Sequence, residues 1–199
     1  MLKVALTGGI ATGKSYVLEQ LRERGVPAID ADDIVHESFE PGTPMTQAIV
    51  LEFGPAVLQP DGRVNRAALA SIVFADATAR FRLEAIVHPL VYQEIRDWFA
   101  TVDHPFAVAS IPLLYETFHE ADFDAVVVTA CKTDQQLQRL MARGLSEEDA
   151  RLRVAAQLST EEKAMRADYV IWTSGTMQET QEQVDALVVK LEGVVSRQS

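Results

Sequence analysis

The run Gly8-Gly9-Ile10-Ala11-Thr12-Gly13-Lys14-Ser15 limits this chain more than any other stretch. Its spacing, Gly8-x-x-x-x-Gly13-Lys14-Ser15, suits a loop that wraps polyphosphate. Small residues let the backbone curl so that successive N–H groups point inward, and the helix that follows offers its positive end. In such a loop Lys14 reaches the terminal phosphates and Ser15 presents its hydroxyl to Mg2+. The motif requires a strand before it and a helix after it, and the sequence predicts both. "KVALT" at 3–7 is a short, partly β-branched run bounded by glycine. "SYVLEQLRERG" sets Val17, Leu18 and Leu21 on one helical face, with Gly25 as the stop. In that context an accidental Gly-Lys-Ser in a glycine-rich turn is the weaker reading. Binding of a nucleoside triphosphate is expected.

The strand–loop–helix unit also sets the fold class, because the same alternation recurs. "VPAID" (26–30), "FAVASIPLL" (106–114), "AVVVTA" (125–130) and "YVIW" (169–172) are four further strand candidates. Helical patterns lie between and after them, ending with "TMQETQEQVDALVVKLEGVV". Continuous apolar strands alternating with helices predict a parallel sheet covered on both faces, an α/β fold. The alternation lapses twice. Residues 33–104 hold no convincing strand but several helical patterns ("PMTQAIVLEFG", "NRAALASIVF", "HPLVYQEIRDWF"), which reads as a helical insertion. Within that stretch Trp98 and Phe99 read as core rather than as a stacking platform. Residues 133–166 are helical too and carry Arg139, Arg143, Arg151, Arg153, Lys163 and Arg166. The last residues, "SRQS", are expected to be loose.

Composition narrows the partners. The 199 residues suit one domain with small inserted subdomains, and 48% apolar residues supply a sizeable core. A formal net charge of −11 argues against nucleic acid or anionic membrane held by bulk charge. A polyphosphate must therefore be held by local donors. The single cysteine, Cys131, excludes an intrachain disulfide and reads as a small core hydrophobe at the end of "DAVVVTAC". No stretch approaches the ~20 apolar residues of a membrane span, and the opening apolar run is too brief for a signal-peptide core. A cytoplasmic location is expected, and nothing in the sequence points to a protein partner.

The chemistry done with the phosphate is read from what accompanies the loop. A guanine-reading Asn-Lys-x-Asp is absent, since the one asparagine, Asn65, precedes Arg66. The later apolar strands end without the metal-binding aspartate of ATPase motors. Acidic groups instead follow the second strand candidate, as Asp30, Asp32 and Asp33 in "VPAIDADD". At the carboxyl end of a parallel strand an aspartate faces the ligand crevice, where a carboxylate can take the proton of an attacking hydroxyl. The alternative is that one of them, Asp33 above all, caps a helix beginning near Ile34. The arginines of 133–166 suit the same chemistry, arriving from a helical flap to steady the moving phosphoryl group, with Arg139 first and Arg143 and Arg153 next. Arg151 and Lys163 read equally as solvated helix charges, with Glu147 and Arg151 spaced for an i,i+4 pair. Phosphoryl transfer by a kinase is the better reading.

Over nearly its whole length the chain resembles the dephospho-coenzyme A kinase family. The motifs that carry the resemblance are "TGGIATGKS" (7–15), "IDADDIVHESFEPG" (29–42), "HPLV" (88–91), "IPLLYE" (111–116), "QLQRLMARGLSEEDARLRVAAQ" (136–157), "EEKAMRADYVI" (161–171) and "TSG" (173–175). The resemblance implies ATP-dependent phosphorylation of the ribose 3′-hydroxyl of dephospho-CoA, the last step of coenzyme A synthesis. It also implies a three-layer α/β/α P-loop kinase fold with a five-stranded parallel sheet. The core would be residues 1–31, 105–132 and 167–199 of a single domain, with a helical substrate-binding insertion at about 32–104 and a lid at about 133–166. By position, Asp32 becomes the general base, Lys14 the holder of the transferred phosphate and Ser15 the Mg2+ ligand. Gly8, Gly9 and residues Ala11, Thr12, Gly13, Lys14, Ser15 and Tyr16 form the ATP loop, and Arg139 and Arg143 come from the lid. His88, Pro89, Leu113, Leu114, Glu116, Arg153 and Gln157 shape or stabilise the acceptor and nucleotide sites.

The chain departs from the family pattern in places. Ala11-Thr12 replaces a more frequent Gly-Ser, which is tolerated if position 11 has φ < 0 and strained if φ > 0. Tyr16 replaces a common threonine. His36 stands where arginine is frequent, as a weaker, pH-dependent phosphate contact or as a partly exposed helix residue. "TSG" replaces "NSG", expected to alter only a turn. "HP" at 88–89 either binds substrate or starts a helix, and Glu116 either binds substrate or faces solvent. The rival functions are a P-loop nucleoside or nucleotide monophosphate kinase and a nucleotide-dependent regulatory protein that transfers nothing.

Overall fold

The computed structural model describes residues 1–198. The chain divides into two compact units, one formed by Met1–Ile29 with the chain from Val102 onward, the other by Asp30–Thr101. The first unit is built on five strands: β1 (Leu2–Gly8), β2 (Ala28–Asp30), β3 (Phe106–Ser110), β4 (Ala125–Ala130) and β5 (Tyr169–Trp172). They form one sheet in the order β2-β3-β1-β4-β5. The ladders of β1 with β3 and β4, and of β4 with β5, are parallel. β1, β3 and β4 are almost wholly buried, as the uninterrupted apolar runs predict.

Helix α1 (Lys14–Glu23) and the last helix of the chain, α9 (Met177–Gln198), pack on one another and on one sheet face. There Val17, Leu18, Leu21, Val184, Leu187 and Leu191 meet Val4, Leu6, Phe106, Val108, Val127 and Ile171. Three helices, α6 (Thr133–Ala142), α7 (Glu147–Ala155) and α8 (Thr160–Arg166), fill the connection from β4 to β5, and α8 lies on β4. α9 continues through Ser196 and Arg197, whose looseness had been expected. The end of that stretch, Ser199, lies outside the described residues.

Two strands are shorter than expected, for one reason. Pro27 has no N–H to enter a ladder, so β2 starts only at Ala28, although the Pro27 carbonyl still accepts from Val108 N–H (2.9 Å). Likewise Ile111 N–H reaches Leu6 O (2.8 Å), after which Pro112 ends the ladder and the chain turns. Leu113 and Leu114 are therefore not strand residues.

The second unit is helical, with α2 (Ala31–Ser38), α3 (Pro44–Phe53), α4 (Arg66–Ala75) and α5 (Ala77–Thr101), and α5 packs against each of the other three. Its one extended pairing among the described residues is the isolated bridge Leu58–Val64. α2 begins at Ala31 rather than near Ile34, and its cap is Asp30, whose Oδ1 accepts from Asp32 N–H at 2.9 Å. Asp33 is thus not the cap. α5 begins well before His88 and passes through Pro89, so "HP" does not start a helix. The proline leaves the Ala85 carbonyl without its helical donor. Phe99 is core at 3% exposure, while Trp98 is half-buried with its ring 5.0 Å from Phe99.

Candidate active site

The glycine-rich loop leaves β1 in the middle of the sheet, where connections run to opposite sides, the switch point at which parallel sheets open a ligand crevice. Gly8 permits the exit: a Cβ there would fall 2.7 Å from Thr129 O and closer still to Thr129 Oγ1. Thr12 folds the loop back, donating from both its N–H (3.2 Å) and its hydroxyl (2.7 Å) to Gly9 O. Its hydroxyl also pairs with that of Thr129 on β4 at 2.8 Å. Gly13, at φ 92°, then turns the chain into α1. Because the cap is a glycine, no side chain closes the start of α1, and its first turn holds no acidic residue. The helix therefore presents bare N–H groups and an uncompensated positive end, the arrangement that holds phosphate.

Lys14, Ser15 and Tyr16 open α1. The Lys14 ammonium donates to the fully buried Ser110 hydroxyl at the end of β3, which aims the side chain across the loop. Ser15 is exposed and Tyr16 half-buried. An exposed hydroxyl beside a bare helix start fits Mg2+, which keeps most of its waters and binds through one or two protein oxygens plus phosphate. Among the described residues no group of three His, Cys, Asp or Glu could hold a metal by itself.

Ala11 settles the question its sequence raised: its φ is 61°, in the left-handed region. Its side chain is buried with Leu137, Leu140 and Ala150 of α6 and α7, and Ile10 and Val154 join the cluster. Arg139 on α6 does not extend into solvent. Its Nη1 donates to Ala11 O (3.0 Å) and Thr173 Oγ1 (3.1 Å), and its Nη2 to Thr173 O (2.5 Å). Gln157 accepts from Ile10 N–H through Oε1 (2.8 Å), and Gln136 Nε2 donates to Ile10 O (2.7 Å). Sequence reasoning missed Thr129, Gln136 and Thr173, because nothing local marks a threonine or glutamine as a partner of a loop more than a hundred residues away. Arg143 and Arg153 are exposed, and neither guanidinium has a partner among the described residues.

Glu116 is half-buried and paired within the protein rather than turned to solvent. It forms an ion pair with Lys163 at 2.7 Å and accepts from Leu158 N–H at 3.0 Å. Lys163, far from being a solvated helix charge, is 0% exposed and also donates to Pro112 O at 3.1 Å. Arg151 does sit in solvent, paired with Glu147 at 2.7 Å. Leu114 is fully buried and Leu113 exposed, so of the two only Leu113 can touch a ligand with its side chain. Cys131 is buried, and desolvation, only partly offset by the nearby Arg139, pushes its thiol above the ordinary range. It is core.

In the helical unit Asp32, Asp33 and His36 are exposed on α2, each within two turns of the end of β2. His88 is half-buried and Pro89 exposed in the middle of α5.

Comparison with known proteins places these features. Residues 2–179 match the family described as dephospho-CoA kinase. A dephospho-CoA kinase of Symbiobacterium thermophilum is 48% identical over 92% of this chain and 78% of its own length. One of Anaeromyxobacter dehalogenans is 47% identical over 97% and 93%. Among solved structures, the dephospho-CoA kinase of Campylobacter jejuni superposes with a TM-score of 0.72 at 26% identity, covering 96% of this chain and 97% of its own. A shikimate kinase from Bacteroides thetaiotaomicron, at 18% identity and a TM-score of 0.53 over 96% of this chain and 98% of its own, shares the fold alone.

Proposed function

The chain belongs to the dephospho-CoA kinase family, and from that premise we propose that it transfers the γ-phosphoryl group of ATP to the ribose 3′-hydroxyl of dephospho-CoA, giving coenzyme A and ADP. The observation that carries the reading is the bare start of α1 behind a curled loop, with Lys14 aimed across it. Such a cradle holds polyphosphate through Gly8, Gly9 and Ala11 to Tyr16. Ser15 Oγ would hold Mg2+ there, and the ion would supply charge neutralisation.

Asp32 is the general base: its carboxylate accepts the proton of the 3′-hydroxyl as the hydroxyl oxygen bonds to phosphorus and the bond to the ADP oxygen breaks. An exposed carboxylate just past a strand end suits that role. Arg143 and Arg153, exposed and without protein partners among the described residues, are available to the phosphoryl oxygens, while Arg139 acts through the loop it holds. The helical unit, with His88, Pro89 and the exposed face of α2, serves the acceptor, and α6–α8 serve as the lid. Among the described residues no helix is long and apolar enough to cross a membrane, and a cytoplasmic location accords with the substrates.

The test is acceptor-dependent ADP release from Mg-ATP with dephospho-CoA, adenosine, AMP, CMP or no acceptor. Release that requires dephospho-CoA, with a product heavier by one phosphoryl group, is expected; release with AMP or CMP instead would make the chain a nucleotide kinase. In the same assay Asp32→Asn should keep ATP affinity and lose roughly 10²–10⁴-fold in turnover. Turnover within tenfold of the parent would remove Asp32 from the base role.

A further inference from the structure

A polyphosphate cradle works only if its N–H groups face inward, and a curled loop has no regular ladder to enforce that. In a planar trans peptide unit the C=O and the following N–H point in opposite directions. Whatever pulls a loop carbonyl outward therefore turns the next N–H inward. Three side chains hold loop carbonyls here. Arg139 Nη1 donates to Ala11 O at 3.0 Å, where the next N–H, that of Thr12, is used within the loop on Gly9 O (3.2 Å). The two others leave the next N–H open. Gln136 Nε2 on α6 donates to Ile10 O at 2.7 Å, which directs Ala11 N–H the other way. Thr173 Oγ1, just past β5, donates to Thr12 O at 2.6 Å, which directs Gly13 N–H the other way. Neither Ala11 N–H nor Gly13 N–H has a partner among the described residues.

We propose that Gln136 and Thr173 are positioning residues that preset the Ala11 and Gly13 N–H groups toward the bound polyphosphate of ATP. The inference rests on the reading of the loop as the ATP site. Both side chains are themselves fixed. Gln136 is 2% exposed, and its Oε1 accepts from Thr160 Oγ1 at 3.2 Å. A flipped amide would set its oxygen against the Ile10 carbonyl, which can only accept, so one orientation survives. Thr173 is 6% exposed, and its hydroxyl accepts from Arg139 Nη1 (3.1 Å) while donating to Thr12 O. The preceding peptide unit, Gly9–Ile10, is fixed as well, because Gln157 Oε1 accepts from Ile10 N–H at 2.8 Å. Gly13 adds a steric limit: a Cβ there would press on the Thr173 side chain at 3.2 Å. The turn after β5 is thus part of the nucleotide site's frame, although it shows no sequence motif for phosphate.

Mg-ATP affinity, measured by titration calorimetry, tests this in the full-length protein. Thr173→Val and Gln136→Met should each weaken it about tenfold, the order expected when one hydrogen bond of the frame is lost. Thr173→Ser, which keeps the hydroxyl, should bind within about threefold of the parent. The KM for dephospho-CoA at saturating ATP should stay unchanged, an outcome that general destabilisation would not give. Thr173→Val and Gln136→Met that both fold cooperatively and bind ATP as the parent does would overturn the proposal, and a parent active in the acceptor assay would leave the function standing. Should a variant fail to fold, amide exchange in the parent decides. Ala11 and Gly13 amides should be unprotected in the free protein and protected by Mg-ATP, with Ile10 protected in both. No gain of protection at Ala11 and Gly13 would overturn it equally.

Discussion

Ala11 shows how a strained residue is kept in a functional loop. Its φ of 61° costs an L-residue roughly 1–2 kcal/mol. Its buried methyl group recovers about 0.8 kcal/mol against Leu137, Leu140 and Ala150. The two effects nearly cancel, so alanine is tolerated where glycine is more usual. Ala11→Gly should therefore shift stability by less than about 1 kcal/mol, the strain relief offsetting the lost packing and the added freedom of the unfolded chain. Ala11→Val should cost about 2–4 kcal/mol, since a branched side chain suits neither the backbone angle nor the filled space. Urea unfolding midpoints of the three proteins check both, and a Val variant as stable as the parent would refute the strain account. The loop itself was legible because its residues are contiguous and each has a local reason. Its outer frame was not. Gln136 and Thr173 lie 126 and 161 residues from the carbonyls they hold, and a glutamine on a helix face carries no mark of such a partner.

Element boundaries followed the local chemistry of the chain wherever that chemistry was decisive. Five strands were readable from apolar runs, and their ends were misplaced where Pro27 and Pro112 remove donors. Pro89 misled in the opposite sense, because α5 carries straight through it. Lys163 was illegible for another reason: in "TEEKAMR" it has the sequence of an exposed helix charge, and only the chain beyond β3 reveals its partner. Removing that partner tests the pairing. Glu116→Leu leaves a buried ammonium uncompensated and should cost roughly 3–5 kcal/mol. Glu116→Leu combined with Lys163→Met should recover much of that loss, because no buried charge remains. A double variant no more stable than Glu116→Leu would show that the charge is not what matters.

At the start of α9 the sequence Thr176-Met-Gln-Glu179 forms a reciprocal cap, with Glu179 N–H on Thr176 Oγ1 (3.2 Å) and Thr176 N–H on Glu179 Oε2 (2.6 Å). The Thr176 N–H bond, together with a second from the Thr176 hydroxyl to Glu179 Oε2 (3.1 Å), holds the Glu179 carboxyl below its ordinary value of 4.5. A depressed carboxylate stabilises the fold above its unfolded pKa, and that contribution is lost as pH falls through the lower folded value. Glu179→Gln should therefore lower the melting temperature at pH 7, with the gap to the parent closing as pH falls below about 4. A gap constant from pH 7 to pH 3 would deny the linkage.

At the scale of the whole molecule, a chain of net charge −11 handles two anionic substrates, so each must be met by local structure rather than by overall field. Long-range attraction is not available to a polyanion approaching such a protein. The first unit offers the uncapped start of α1 behind the glycine-rich loop, the place proposed above for polyphosphate. The second, Asp30–Thr101, carries the acidic start of α2 and the long α5. If the two units divide the substrates as proposed, each ligand alone should slow amide exchange in its own unit. Ligand bound at a hundred times its Kd adds about 2.7 kcal/mol to whatever opening it opposes, close to a hundredfold in exchange rate. Mg-ATP alone should act on residues 11–16 and on α6. Dephospho-CoA alone should act on α2 and α5, and Asp32→Asn should leave the Mg-ATP effect intact. Dephospho-CoA that protected only the sheet unit would reassign acceptor recognition to that unit, where Leu113 and Arg153 are exposed. The helical unit would then owe its place in the fold to Asp32 alone.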